Sequence, residues 1–536
     1  MQRRRTWIVG AILLLIAFGF RIAVARYLAN DTPGDGKLYA LLARNLLEHH
    51  VYSHEAEPPY GPSLIRLPGY PFFLTAIYYF FGHENNTAVS IAQALIDTVT
   101  CVLIGLLAYL WTPFQRRKQV AALAAIALAA VCPFTAIYVG TILTETWASF
   151  FLVLLCLLTT LAFQAPNLRR SIWLWAAVGL VGGIQVFFRP DSGLFVLAVG
   201  LTLVATLFFR RRDSDEVPKK SARLAKIILQ GTIMSVAFMV VLVPWTVRNW
   251  RTFHLFQPLA PAHAEMPGEF VPRGYLAWLR TWINDGRYVE SVLWPLDDKQ
   301  FHLEDFPDSA FDSAEEKSRV AQLLDRYNNP AGETTDELDK AAAAEPSPSP
   351  GDEEDQSSDD TDDEQDDTAE EEADTATPDM TPPIDAQFAQ LAQERIARAP
   401  LRYYVWVPMQ RAWYLWVGPH SDYYPFDGEL FPLRDLDYSV HQHLWLPLFM
   451  VLVFIFTLQA VAGGWILWRA ATTESRRWLL LVALSIFIRL AFFATLENPE
   501  PRYTVEFFPL LAALGGIALA SSSFGEVAAG WLLGFV

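Results

Sequence analysis

The chain has 536 residues, 52% of them hydrophobic and 14% aromatic, with 18 Trp and 36 Phe, a balance that excludes a soluble protein with an ordinary polar surface. Several runs exceed the ~18 apolar residues that argue for a transmembrane helix, so the sequence reads as an all-α polytopic membrane protein. The formal net charge of −17 comes from one segment: residues 331–385 hold 22 acids and one base, Lys340, and the rest of the chain stands at +4.

In chain order, spans are expected at 6–25, 87–111, 119–137, 141–164, 172–188, 192–209, 226–245, 444–468, 478–495 and 503–522, about ten in all. Basic clusters fall between them at QRRR (2–5), FQRRK (114–118), NLRR (167–170), RRRDSDEVPKKSARLAK (210–226) and WRAATTESRR (468–477). With the N-terminus in the cytoplasm, all five lie on the cytoplasmic face, as the excess of Lys and Arg in inner loops requires. The chain then divides into an N-terminal membrane domain (1–245), an extracytoplasmic segment (246–443) and C-terminal membrane helices (444–536). Ala23-Val24-Ala25 also resembles a signal-peptide cleavage site, but the long apolar stretch interrupted by Arg21 favours a retained helix.

The first outer loop, 26–86, contains two expected short helices. In GDGKLYALLARNLL, Leu38, Leu41, Leu42 and Leu46 make one apolar stripe, suited to a helix lying on the membrane surface. In IRLPGYPFFLTAIYYFFG (65–82) the apolar run after Pro68 is too short for a span and suits an interfacial or half-buried helix. The large outer segment has a helical front part (AEEKSRVAQLLDRY, 314–327) and a helical stretch at 386–416 whose aromatic and basic end suits a return along the interface. Between them, the acidic insert 331–385 has almost no large apolar side chains to offset ordering entropy and reads as a disordered tether. Cys101, Cys132 and Cys156 lie in apolar helices without metal-type spacing, so neither a disulfide framework nor a cysteine metal site is expected.

Charged residues recur at the outer ends of separate spans: Asp31 and Asp35, Glu145 in GTILTETW, Arg189 and Asp191 in FFRPDSG, Arg248 in VPWTVRN, and Glu497 and Arg502 in ENPEPRY. Two readings stand for each. Asp35 suits a helix N-cap, Asp31 suits the end of the first span, and any one arginine suits an interfacial anchor. Their recurrence on one face favours function, because ionisable groups at membrane depth are costly. The planar guanidinium suits phosphate recognition. If a sugar is carried on a polyprenyl phosphate, the phosphate leaves readily. The site then needs cations for the departing charge and one base for the acceptor, not the flanking carboxylate pair of a glycosidase. A helix N-terminus lowers a carboxylate pKa, which works against Asp35 as that base.

GDGKLYALLARNLLEHHVYS, RLPGYPFFLTAIYYFFG, LTETW, FRPDSG, VPWTVRN, PLRYYVWVPMQRAWYLW and PRYTVEFFPLL resemble, in order and spacing, the bacterial GT-C-type glycosyltransferases of family 39, the group of protein O-mannosyltransferases, aminoarabinose transferases and Rgt-like enzymes. The resemblance covers the chain except the acidic insert. It implies a GT-C bundle in a bacterial inner membrane, a polyprenyl-phosphate-sugar donor, a lipid, glycan or protein acceptor, and inverting transfer on the periplasmic face without a metal or other cofactor. Asp35, four residues before Tyr39, matches the family's catalytic acid, and Asp31 matches less well. Relatives carry an acidic pair where this chain has Gly36 after Asp35. Glu145 matches the acid of the second outer turn, and Arg502 and Tyr503 match the Arg-Tyr of the last. Arg66 precedes the Pro-Gly-Tyr-Pro that opens the second loop helix.

A transporter or flippase for lipid-linked saccharides is the alternative, though no self-similar halves are visible. A scaffold acting through the acidic insert leaves Asp35 and the arginines without a role. Neither a nucleotide-binding glycine loop nor a nucleic-acid surface is indicated.

Overall fold

A computed structural model describes residues 2–29, 34–208, 220–330, 377–428, 430, 440–523, 525 and 527. Asp31 and the acidic stretch 331–376 lie outside the described residues. The chain forms two compact units, Met1–Glu269 with Gln410–Val536, and Phe270–Met409.

The first unit opens with α1 (Gln2–Tyr27), followed by the loop helices α2 (Asp35–Glu48) and α3 (Gly69–Phe81). Then come α4 (Asn86–Trp111), α5 (Lys118–Ala130), α6 (Pro133–Ala136), α7 (Glu145–Phe163), α8 (Leu168–Phe188), α9 (Gly193–Ala205) and α10 (Lys220–Phe253). Among the described residues no strand occurs, as expected where only helices satisfy every backbone group within lipid.

Among the described residues, seven helices are long and apolar enough to cross a membrane, or eight counting the bent pair Gln115–Ala130 and Pro133–Val139 as one. Two shorter apolar helices, Pro190–Ala205 and Phe507–Ser521, account for the remaining expected spans. The protein is thus a multi-pass helical membrane protein.

Several boundaries differ from expectation. The third span bends by 56° where Pro133, lacking an N–H, starts a new helix. The fourth begins only at Glu145, because 141–144 form a turn. The seventh continues to Phe253 with Pro244 inside it, so Arg248 rides on the helix rather than following it. In α2 the fully buried residues are Gly36, Leu42, Ala43 and Asn45, not a leucine stripe alone. The Asn45 Nδ2 donates to the carbonyls of Ser53 and Glu55.

The second unit contains α11 (Arg273–Leu279), α12 (Arg287–Val292), α13 (Ala314–Asn328) and α14 (Pro382–Arg398). Its core is aromatic: Tyr275, Trp278, Phe301, Tyr327 and Phe388 are all fully buried, with ring centroids 5.1–6.4 Å apart. Met380 and Ile384 join it, and the Met380 amide donates to Asp297 at 2.9 Å. Residues 377–385, which composition assigns to the tether, are therefore packed. The helix expected over 386–416 begins at Pro382 and breaks after Arg398, resuming through the widened π-helical stretch Arg402–Trp406 into α15 (Val407–Val417). The chain then completes the first unit with α16 (Val440–Ala470), α17 (Thr473–Ala494) and α18 (Phe507–Ser521).

Close helix approach in the first unit depends on small residues. A Cβ on Gly179 of α8 would sit 2.1 Å from the Met234 carbonyl of α10, and one on Gly69 of α3 2.7 Å from the Phe187 carbonyl of α8. A polar clamp also operates within the apolar bundle. Arg21 of α1 bonds Asp97 of α4 at 2.6 Å and donates to the carbonyls of Ala17, Ala129 and Ala130, with Arg21 and Asp97 almost wholly enclosed. Removing one partner strands the other charge, so Asp97→Ala is expected to cost ~3–5 kcal/mol, read as a lower melting temperature in detergent. Arg21→Met with Asp97→Leu should recover much of that loss; an unshifted melt for the single variant would refute the clamp.

Candidate active site

At the end of the first unit that carries the loop, residues from six parts of the sequence meet. Asp35 is the first residue of α2. Its N-cap is Gly34, at φ 47°, and no side chain caps the helix, so the capping reading of Asp35 gives way to an ion pair. Arg66 donates to Asp35 Oδ1 at 2.6 Å, and Arg502 lies 3.6 Å from Oδ2. Tyr52 fixes the Arg66 segment by donating to the carbonyls of Arg66 and Leu67 at 3.1 and 3.2 Å. Tyr39, one turn along α2, packs edge-on against Tyr70 of α3 with centroids 5.2 Å apart.

A second, deeper set lies on α7, α8, α17 and the start of α18. Glu145 opens α7, held there by a turn whose carbonyls at Tyr138, Val139 and Thr141 accept from Gln93 of α4. Arg189, at the end of α8, donates to Glu145 at 2.7 Å and to Asp191 at 3.2 Å, and lies 3.6 Å from Glu506. Arg489 of α17 reaches Asp191 and, at 2.9 Å, Glu506. The Tyr503 ring joins the two sets, with the Arg189 guanidinium 5.4 Å from its centroid and that of Arg502 5.3 Å away. Arg502 also bonds Glu500 and, at 3.1 Å, the Tyr423 hydroxyl, while the Tyr503 hydroxyl donates to Glu500 at 2.5 Å.

Of the residues singled out from sequence, Asp35, Arg66, Glu145, Arg189, Asp191, Arg502 and Tyr503 converge here, with Tyr39 beside them. Glu497 is buried in the turn that leads to Arg502. Arg248 does not join the cluster: it donates to the Ser63 carbonyl at 2.7 Å and stacks 4.8 Å from the Trp245 ring, bracing the loop. Four residues were not anticipated: Arg489, Glu506, Glu500 and Tyr423. The available signal was Arg489 itself, a lone cation inside the apolar run LSIFIRLAFF, which is costly at that depth unless paired.

The electrostatics are graded. Arg489 and Glu506 are fully buried, whereas the side chains of Asp35, Arg66 and Arg502 are 33%, 24% and 12% exposed. Burial pushes the Asp35 carboxyl up, but the guanidiniums of Arg502 and Arg66 outweigh it and leave it below the ordinary carboxylate value. Burial and the neighbouring Asp35 charge push the Tyr39 phenol up to about 12. Asp35 is therefore ionised and Tyr39 a neutral donor at neutral pH. Among the described residues no group of three or more His, Cys, Asp or Glu is placed to hold a metal ion. Chemically, the accessible part offers one carboxylate beside two cations.

What fold and site define is a polytopic helical membrane protein with an arginine–carboxylate cluster at one end. Residues 62–245, which hold Arg66, Glu145, Arg189 and Asp191, match the family model described as dolichyl-phosphate-mannose-protein mannosyltransferase. No curated protein matches the chain. The archaeal oligosaccharyltransferase AglB from Archaeoglobus fulgidus, in complex with an inhibitory peptide and a dolichol-phosphate, is 13% identical with a TM-score of 0.49, over 99% of this chain and 52% of that one. ArnT from Cupriavidus metallidurans, bound to undecaprenyl phosphate, is 12% identical with a TM-score of 0.35, over 98% and 78%. The chain spans about half the length of the AglB structures it matches.

The buried set should be structural. Arg489→Leu leaves the buried Asp191 and Glu506 to share Arg189 and is expected to cost ~3–5 kcal/mol, seen as early thermal unfolding in detergent. Adding Asp191→Asn should restore part of it; a melt equal to that of the native chain would show that the pairing carries no stability.

Proposed function

We propose that the protein is a membrane glycosyltransferase that moves a sugar from a polyprenyl-phosphate donor to a lipid, glycan or protein acceptor. The transfer is inverting, takes place on the extracytoplasmic face of a bacterial inner membrane, and uses Asp35 as base. The observation that carries this reading is the Asp35 carboxylate held between Arg66 and Arg502 at the half-open end of the cluster. The family description of the matched segment, with its dolichyl-phosphate-mannose donor, supports the donor class.

In this reading the donor phosphate takes the Arg66 and Arg502 guanidiniums, whose fork geometry suits its oxygens and whose charge stabilises the phosphate as the sugar–oxygen bond breaks. The acceptor hydroxyl or amine attacks the anomeric carbon from the opposite face and loses its proton to Asp35. Tyr39, neutral and one turn along, is placed to donate to a sugar or phosphate oxygen. The exchange also answers the objection that a carboxylate at a helix start between two cations is a weak base. Once phosphate has taken the arginines, Asp35 is released from the two groups that hold its proton affinity down.

The direct test incubates membranes containing the full chain with labelled polyprenyl-phosphate sugars and identifies the glycosylated product. Asp35→Asn is expected to lower the transfer rate by ~10²- to 10⁴-fold, the usual weight of general-base catalysis, with donor binding kept; wild-type transfer by that variant would sink the assignment.

A pH profile supplies the second test. Transfer by the free enzyme needs ionised Asp35, whose pKa is depressed, so activity should persist as pH falls through the ordinary carboxylate range and fail below it. Arg66→Gln removes a depressing charge and should move that acid limb to higher pH. A limb that stays put would mean that the titrating group is not Asp35.

A further inference from the structure

A cavity of about 960 Å³ opens between α1, α2 and α4. Its α2 wall is Gly36 and the stripe Lys37, Ala40, Leu41 and Arg44, which lies on the side of α2 opposite Asp35 and Tyr39, and none of Asp35, Arg66 or Arg502 lines it. The α1 wall is apolar, with Phe18, Ile22 and Ala25 recurring at helical spacing, while α4 contributes Ile91 beside the polar Asn86, Thr87 and Ser90. Three cations border it, Arg26, Lys37 and Arg44, against one acid among the described lining residues, Glu84. Arg44 is loosely engaged, 4.0 Å from Glu84 and 3.5 Å from the Ala56 carbonyl. Arg26 and Lys37 are exposed and make no hydrogen bond or ion pair among the described residues.

We propose that this cavity binds a membrane lipid bearing a net-negative phosphate head group. Its chains lie along the apolar face of α1, and its phosphate sits among Arg26, Lys37 and Arg44. The volume falls within the range of small-molecule sites, and the excess of cations over acids selects an anionic head over a zwitterionic one. The apolar wall distinguishes a lipid from free phosphate, which would gain nothing from Phe18 and Ile22. The site is distinct from the donor cradle at Asp35 and stands or falls separately from it. Because α2 carries both on opposite faces, the bound lipid would rest against the helix that presents Asp35.

The test uses the full chain in detergent with fluorescent phosphatidylglycerol, fluorescent phosphatidylcholine and soluble glycerol phosphate. Saturable binding of phosphatidylglycerol is expected, about tenfold tighter than phosphatidylcholine, and about tenfold weaker in Arg26→Gln with Lys37→Gln. Millimolar glycerol phosphate should not displace it. Equal binding of the two lipids, or unchanged binding by the double variant, overturns the proposal. Displacement by glycerol phosphate would make this a site for free phosphate and overturn the lipid assignment. Ala40→Trp fills the cavity without altering charge; if the double variant does not fold, this variant must lose phosphatidylglycerol binding while melting like the native protein, and retained binding refutes the site.

Discussion

The pairing of Arg189 and Arg489 with Glu145, Asp191 and Glu506 is the constraint on which the rest of the first unit depends. Five charged side chains from α7, α8, α17 and the approach to α18 are withdrawn from water together. Each would be very costly alone, and each is tolerable only because the others are in place. Such a lattice adds little net stability over a well-packed apolar core, but it has one geometry. It fixes the ends of these helices against one another and so fixes where the neighbouring Arg502 and Tyr503 must stand. The Arg21–Asp97 clamp does the same for α1 and α4, and α1 sets the point from which the first loop departs.

From that buried lattice the charge runs outward to a softer end. Arg489 is sealed on all sides, whereas Asp35 keeps a third of its side chain open and Arg66 a quarter. A group with no exposure cannot meet a substrate, however suitable its chemistry. This gradient is why the proposed chemistry rests on Asp35, Arg66 and Arg502 rather than on Glu145 and Arg189, which lie deeper.

Much of the membrane architecture was legible because lipid leaves one solution for a long apolar run, and each expected span falls on an apolar helix. What composition could not show was where a helix starts when a turn is also apolar. Thr141 to Thr144 read as part of a span but form the turn that presents Glu145, and Pro133 breaks a span that hydropathy alone runs together. In the site, acids and arginines at helix ends were visible because polar residues stand out there. Arg489 and Glu506 were harder to see, since their meaning depends on a partner distant in sequence. Arg248 shows the converse: its type and position suited the cluster, yet its guanidinium turns to the Ser63 carbonyl and the Trp245 ring.

The position of Asp35 at the start of α2 reconciles two demands that otherwise conflict. A carboxylate at a helix N-terminus beside two guanidiniums is stable as an anion and reluctant to accept a proton. Had it capped the helix through backbone N–H groups, that reluctance would be permanent, because no substrate displaces a backbone amide. Glycine at the cap leaves the carboxylate free to be held by side chains instead, and side chains can be drawn away by a competing anion. In the proposed mechanism Asp35 is ionised and ordered before the donor phosphate binds, and its proton affinity depends on whether that phosphate is bound. A base regulated as proposed would be silent without donor, which would protect against proton transfer from an acceptor that has no sugar to receive.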